Sequence, residues 1–433
     1  MHKIVRFNEA LDIARKLVED HWDDLGGEVV LVRDLYGRIR VILKNKPKPE
    51  EDELQKSHGR FAKKLQTQLG AFGYNKSQVI LYGDEMHDPD AIYKSPDKRL
   101  LTQDKQLFLL DRQLIAQDWD RPPLEKKTQK PRVTFFGLKG GVGRSTALAV
   151  WAWHLARQGK KILVFDLDLE SPGLGSTLLP VARYPDFGVV DWFVENAVNQ
   201  ADDTFCRNIV ASSPLSDNLA GEIRVVPAWG VNTGDYLAKL SRSYLELASP
   251  GGQWAERVAR LVEQLEIQEE PDLVFLDSRA GLHDISAVTV TRLQANAFLF
   301  AVDSEQTWRG YELLFQHWRA HPRLTDFRNH LQMVAALVPE TEANAYLESF
   351  RQNAYRLFYE NLYEEANPDD FDAFNFDVNN EDAPHNPLRV NWHRALQEFD
   401  PVKRPENVTD TVLQAAFADF WQEAESWVFL EVS

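Results

Sequence analysis

Two hydrophobic rhythms divide the chain near residue 130. Before it, amphipathic and alternating patterns are mixed. Phe7 to His21 places Leu11, Ala14, Leu17 and Val18 on one helical face. Glu28–Arg33 and Arg38–Leu43 flank Asp34, Leu35, Tyr36 and Gly37, a hairpin signal in which glycine supplies a positive φ. A helix is expected from Glu53 to Phe72, a short strand from Gln78 to Tyr82, a loop over 83–104 and a last apolar run from Leu107 to Leu110. This pattern predicts a small α+β domain. Its polar end, Arg121 to Pro131, is bracketed by prolines and reads as a linker, so the boundary is expected at 128/129.

From Arg132 onward, short apolar runs alternate with longer helical stretches, the pattern of a parallel sheet with helices on both faces. The expected strands are Val133–Gly137, Ile162–Asp166, Ile223–Pro227, Leu273–Asp277, Ala297–Val302 and Met333–Val338. They are apolar nearly throughout, as strands buried on both faces must be. Residues 129–433 therefore form an α/β domain preceded by the smaller α+β domain of residues 1–128. In open parallel sheets ligands gather at the carboxyl ends of the strands, and the chemically suggestive residues fall there.

The first of these strands runs into Gly137, Leu138, Lys139, Gly140, Gly141, Val142, Gly143, Arg144, Ser145 and Thr146, and a helical pattern follows from Ala147 to Gln158. A glycine-rich turn that opens a helix lets backbone N–H groups and the positive dipole end converge on an anion. The turn departs from G-x-x-x-x-G-K-S/T twice, with Leu138 at the first glycine and Arg144 at the lysine. By itself it is also compatible with a plain helix-entry turn. The second strand ends at Asp166, and period-two spacing aims Asp166 and Asp168 the same way. The fourth ends at Asp277 and continues Ser278, Arg279, Ala280, Gly281. An aspartate closing an apolar strand after such a turn suits a magnesium site shared with the Ser145 hydroxyl.

The early lysine in KGGVGR resembles the deviant Walker A loop of the ParA/MinD family, and the arginine form resembles a variant subclass of it. The order of P-loop, D-x-D and Walker B aspartate supports the likeness over about 132–340. The resemblance implies ATP and Mg2+ as cofactors. It implies cradling by Gly140, Gly141, Val142, Gly143, Arg144, Ser145 and Thr146, with Gly281 near the γ-phosphate and metal binding by Ser145, Asp166 and Asp277. Catalytic roles would fall on Lys139, which in the family reaches the phosphates of the opposite subunit, on Asp168, which would position water, and on Arg144. Arg279 stands where the family usually has proline, either as a phosphate contact or as a structural residue. Asp382 to Pro387 is similar to the family's late proline-bearing loop near the nucleotide base.

Composition narrows the choice. A single cysteine, Cys206, excludes an intrachain disulfide and any cysteine-only metal or iron–sulfur site within one chain. No apolar run reaches the roughly 20 residues of a membrane helix, so a cytoplasmic protein without membrane insertion is expected. Of the formal net charge of −17, residues 361–433 carry 16 acidic against 4 basic side chains, a difference of −12. That surface argues against nucleic acid as a partner but leaves it open. The cluster Arg38, Arg40, Lys44, Lys46 and Lys48 could meet an acidic partner or RNA, or be a solvated face. Val408 to Phe429 is aromatic and amphipathic, with an acidic polar face of the wrong sign for anionic lipid, and is expected to pack on the core or a partner. His154, among Trp151, Trp153 and Leu155 in the helix after the turn, is expected to be a packing residue, and His283 and His385 lack partners at metal-ligand spacing. The expected function is an ATP-dependent switch that hydrolyses slowly, forms a nucleotide-dependent homodimer and regulates a protein partner through its N-terminal domain. The alternative is a nucleotide sensor that binds without hydrolysis, a reading that Arg144 sustains because guanidinium and ammonium are not interchangeable at a tight phosphate site. A tyrosine-kinase relative is disfavoured by the lack of a tyrosine-rich tail.

Overall fold

The computed structural model describes residues 4–44, 52–102, 104–247, 251–365 and 373–430. It divides into two compact units, Met1–Arg121 and Pro122–Ser433. The first carries a sheet of β1 (Val29–Arg33), β2 (Ile39–Leu43), β3 (Ile80–Tyr82), β4 (Lys98–Thr102) and β5 (Leu107–Asp111) in the order β3-β2-β1-β5-β4. β1 and β2 form the antiparallel hairpin that Asp34–Gly37 signalled, with Gly37 at φ 79°. Helices Phe7–Asp20 and Asp52–Leu69 bury Ala10, Ala14, Leu17, Val18, Phe61, Ala62, Leu65 and Leu69 against one face of the sheet. Leu11 is only partly buried at their margin.

Residues 83–104 contain more than the expected loop, since β4 pairs antiparallel with β5. No β4 residue is fully buried, so this edge strand lacks the alternation that would have marked it. In the basic cluster, Arg38 pairs with Asp34 at 3.0 Å, Lys44 with Glu28 at 2.6 Å, and the Arg40 guanidinium stacks 3.7 Å over the Tyr74 ring. Lys46 and Lys48 lie outside the described residues.

The second unit is built on β6 (Arg132–Gly137), β7 (Lys161–Asp166), β8 (Ala211–Ser212), β9 (Glu222–Val226), β10 (Leu273–Asp277), β11 (Asn296–Ala301), β12 (Leu331–Val338) and β13 (Leu388–Asn391). Their order is β13-β12-β11-β6-β10-β7-β9-β8, parallel throughout except for β8. Segment 122–131, which reads as a linker, is bonded into this unit. Leu124 N–H donates to the Arg292 carbonyl at 2.8 Å, and Lys127 N–H donates to Glu263 at 3.2 Å.

Alternate side chains of the strands feed two cores. One holds Phe135, Phe275 and Phe298 against Trp151 of helix Arg144–Arg157, and helix Asp410–Leu430 closes it with Phe417, Phe420, Trp421, Ala424 and Val428. The acidic C-terminal helix is thus a core element, its apolar face removed from water and its carboxylates left at the rim. The other core holds Leu163, Phe165, Val274 and Leu276 against helices Val189–Ala197 and Trp254–Glu269.

β6 lies between β11 and β10, and β10 separates it from β7. The loops after β6, β7 and β10 therefore meet at one edge. Asp382–Pro387 leads into β13, and its Pro384 carbonyl accepts from Met333 N–H within β12. The register puts Met333 level with Leu299 and Phe136, so this loop lies at the height of the end of β6, with β12 and β11 between β13 and β6.

Candidate functional site

Each turn residue has a local reason for its place. Gly143 caps helix Arg144–Arg157 at φ 80°, a left-handed conformation that costs glycine no Cβ clash. Leu138, the residue in place of the first glycine, inserts into a notch at Gly310 of helix Glu305–Arg319, where a Cβ would lie 2.8 Å from the leucine's Cδ1. Gly140 and Gly141 are exposed, and a Cβ built on either would meet no atom within 4 Å, so the cradle is open. Val142 is buried beneath it. Thr146 is partly buried.

Asp166 and Asp277 stand opposite each other in the β7–β10 register and are almost completely buried. The Ser145 hydroxyl donates to Asp277 Oδ2 at 2.8 Å, and Gly175 N–H donates to Asp166 Oδ2 at 3.1 Å. The remaining oxygens, Oδ1 of Asp166, Asp168 and Asp277, are buried without a hydrogen-bond partner. Buried polar atoms are normally satisfied, so three orphaned carboxylate oxygens at one sheet edge mark a place where a cation or its water shell fits. Among the described residues no three His, Cys, Asp or Glu side chains cluster as a self-sufficient metal site. A metal here would take its remaining ligands from Ser145, water and a bound anion.

Burial raises the pKa of Asp166, and the neighbouring charges of Asp277 and Asp168 raise it further against the Gly175 hydrogen bond. Burial also raises Asp277, opposed by Arg144 and the Ser145 hydrogen bond. Asp168 is raised by burial, with Arg144 and Arg279 pulling the other way. A folded carboxyl above its unfolded value, near 4, holds a proton that the unfolded chain releases. Its contribution is complete below that value and is lost as pH rises through the folded one. The melting temperature of the metal-free chain should therefore fall from about pH 4 upward, and Asp166→Asn should flatten that fall. Equal slopes in the two proteins would argue against a protonated Asp166.

Arg144 does not extend over the open cradle. Its side chain is buried beside Gly137, and Nη1 donates to the Ser278 carbonyl at 2.6 Å. Lys139 is partly buried, and its side chain has no hydrogen bond or ion pair among the described residues. Gly281, at φ 90°, donates its N–H to the Gly137 carbonyl at 3.1 Å, tying the segment after β10 to the turn after β6. Arg279 pairs with Glu170 at 2.7 Å. Glu170 continues the period-two series of Asp166 and Asp168 but belongs to no motif of its own in the sequence. His154 stacks 4.0 Å from Trp421 and lies 3.1 Å from Glu425, and His385 is buried against Tyr363.

Sheet order and the β6 turn make the second unit a largely parallel α/β sheet with a glycine-rich turn opening a helix at the carboxyl end of β6, and a smaller α+β unit precedes it. The sequence matches no protein-family model and no curated protein. Similar solved structures include a ParA family ATPase from Chlorobium tepidum TLS, 14% identical over 69% of this chain and 99% of that one, with a TM-score of 0.44. A plasmid partition protein from Borrelia burgdorferi is 13% identical over 66% of this chain and 98% of its own, with a TM-score of 0.38. Cobyrinic acid a,c-diamide synthase from Mycobacterium smegmatis, solved with ADP and magnesium, is 15% identical over 51% and 80%, with a TM-score of 0.36. No helix among the described residues is long and apolar enough to cross a membrane.

Proposed function

We propose that this chain is a cytoplasmic Mg–ATP-binding switch, a slow ATPase that dimerises around nucleotide and regulates a protein partner. The supporting observation is the open glycine turn beside the Ser145–Asp277 hydrogen bond and the orphaned oxygens of Asp166, Asp168 and Asp277. In this reading the N–H groups of 140–146 hold phosphate oxygens, and Ser145, Asp166 and Asp277 hold magnesium directly or through water. Bound magnesium would supply charge neutralisation at the phosphates. Asp168 orients water, Gly281 contacts the terminal phosphate, and Lys139 serves the partner subunit. Residues 1–128 are proposed as a domain that carries the partner surface; a partner that still co-purifies after their deletion would sink that assignment.

Ser145→Ala tests the site. It removes the hydroxyl but leaves the loop backbone, so magnesium-dependent ATP affinity measured by calorimetry should drop at least about tenfold, a change of about 1.4 kcal/mol. Unchanged affinity would remove the Walker assignment. A second reading, nucleotide sensing without hydrolysis, is favoured by one observation: the Arg144 guanidinium is already engaged by the Ser278 carbonyl. Phosphate release by the wild-type chain, measured alone and with its partner, decides between the two.

A further inference from the structure

The loop after β7 and the segment after β10 are joined by a polar cluster centred on Glu170. Its Oε1 atom accepts from Arg279 Nη1 at 2.7 Å and from the Tyr244 hydroxyl at 2.6 Å, and it lies 3.8 Å from His283 Nε2. Tyr236 donates to the neighbouring Leu169 carbonyl at 2.6 Å. Residues 169–170 are therefore gripped by two tyrosines and one arginine. The main chain of Arg279 is also held, because its carbonyl accepts from Ser286 Oγ at 2.8 Å and the preceding Ser278 carbonyl accepts from Arg144. Asp168 sits two residues from Glu170, with the Arg279 and Arg144 charges both acting on it.

We propose that Arg279 and Glu170 are positioning residues for Asp168, an ion-pair brace that fixes the loop carrying Asp168 to the end of β10. This rests on the ATPase reading above. The pair is partly shielded from water, with Glu170 and Arg279 side chains 23% and 32% exposed. It spans two loops that no strand hydrogen bond holds in register beyond the Leu167 N–H bond to the Asp277 carbonyl. A carboxylate that orients water contributes only at its working geometry, so freeing its loop lowers turnover far more than nucleotide binding. Neither brace residue lies in the 140–146 cradle, so ADP affinity should not change.

The experiment is a double-mutant cycle in the full-length chain with Arg279→Ala, Glu170→Ala and the double variant, and Arg279→Lys as the conservative control. Each alanine variant should lose about tenfold or more in kcat with KM for ATP within about threefold. The double variant should be no worse than either single, and lysine should restore part of the rate. Additive losses, or losses carried by KM and ADP affinity, would overturn the brace. Amide hydrogen exchange of the nucleotide-free proteins provides an arm independent of catalysis. Each alanine substitution should speed exchange in both 167–171 and 278–283, and a change confined to the mutated segment would overturn the coupling. If the wild-type chain does not hydrolyse ATP, the ATPase reading fails while the exchange arm still judges the brace.

Discussion

Asp168→Ala is expected to bind ATP within a few-fold of the wild-type chain and to hydrolyse it about a hundred to ten thousand times more slowly. The size follows from what a positioned acid–base or water-orienting group supplies to a transition state. The separation of binding from turnover follows from place. In the proposed reading the cradle and Asp277 would supply ground-state contacts, whereas Asp168, beyond the end of β7 with a buried oxygen that has no hydrogen-bond partner, would act on the nucleophile. Single-turnover phosphate release together with calorimetry makes the comparison. A variant that loses affinity and rate together would make Asp168 a structural or metal-holding residue.

Lys139→Ala is expected to abolish an ATP-dependent dimer in light scattering while leaving ADP binding by the monomer nearly intact. Lys139 is partly buried and has no ion-pair partner among the described residues, while Arg144, buried next to Ser278, donates to the Ser278 carbonyl. In the proposed reading the other cation, Lys139, would meet phosphate from outside the subunit. If Lys139 instead shapes the loop in cis, ADP and ATP binding should fall together. If Arg144 makes the intersubunit contact, dimerisation should survive in Lys139→Ala and fail in Arg144→Ala. A wild-type chain that stays monomeric with ATP and magnesium at high concentration would defeat the dimer for the isolated protein.

The two arginines of the site illustrate how far a sequence carries such a reading. Arg144 was visible as a departure from lysine, and Arg279 as an oddity after a strand-end aspartate. Their partners were not visible, because a main-chain carbonyl and a carboxylate more than a hundred residues away leave no periodic mark. Glu170 lay within reach of period-two counting, but only the fold brings Tyr244 and His283 to it.

Apolar patterning alone specifies the parallel α/β unit and the strand ends at which its candidate site lies. Strands buried on both faces must be apolar along their length, and the glycine turn, Asp166 and Asp277 mark their carboxyl ends. It also determined the hairpin and the principal helices of the first unit, whose cores need regular apolar spacing. The sheet order and the antiparallel edge strands β4 and β8 came from tertiary pairing alone. Edge strands carry weak patterns because they are incompletely buried. The same holds for segment 122–131: its polarity reads as a linker, but Glu263 and other distant groups give its main chain partners that local sequence does not contain.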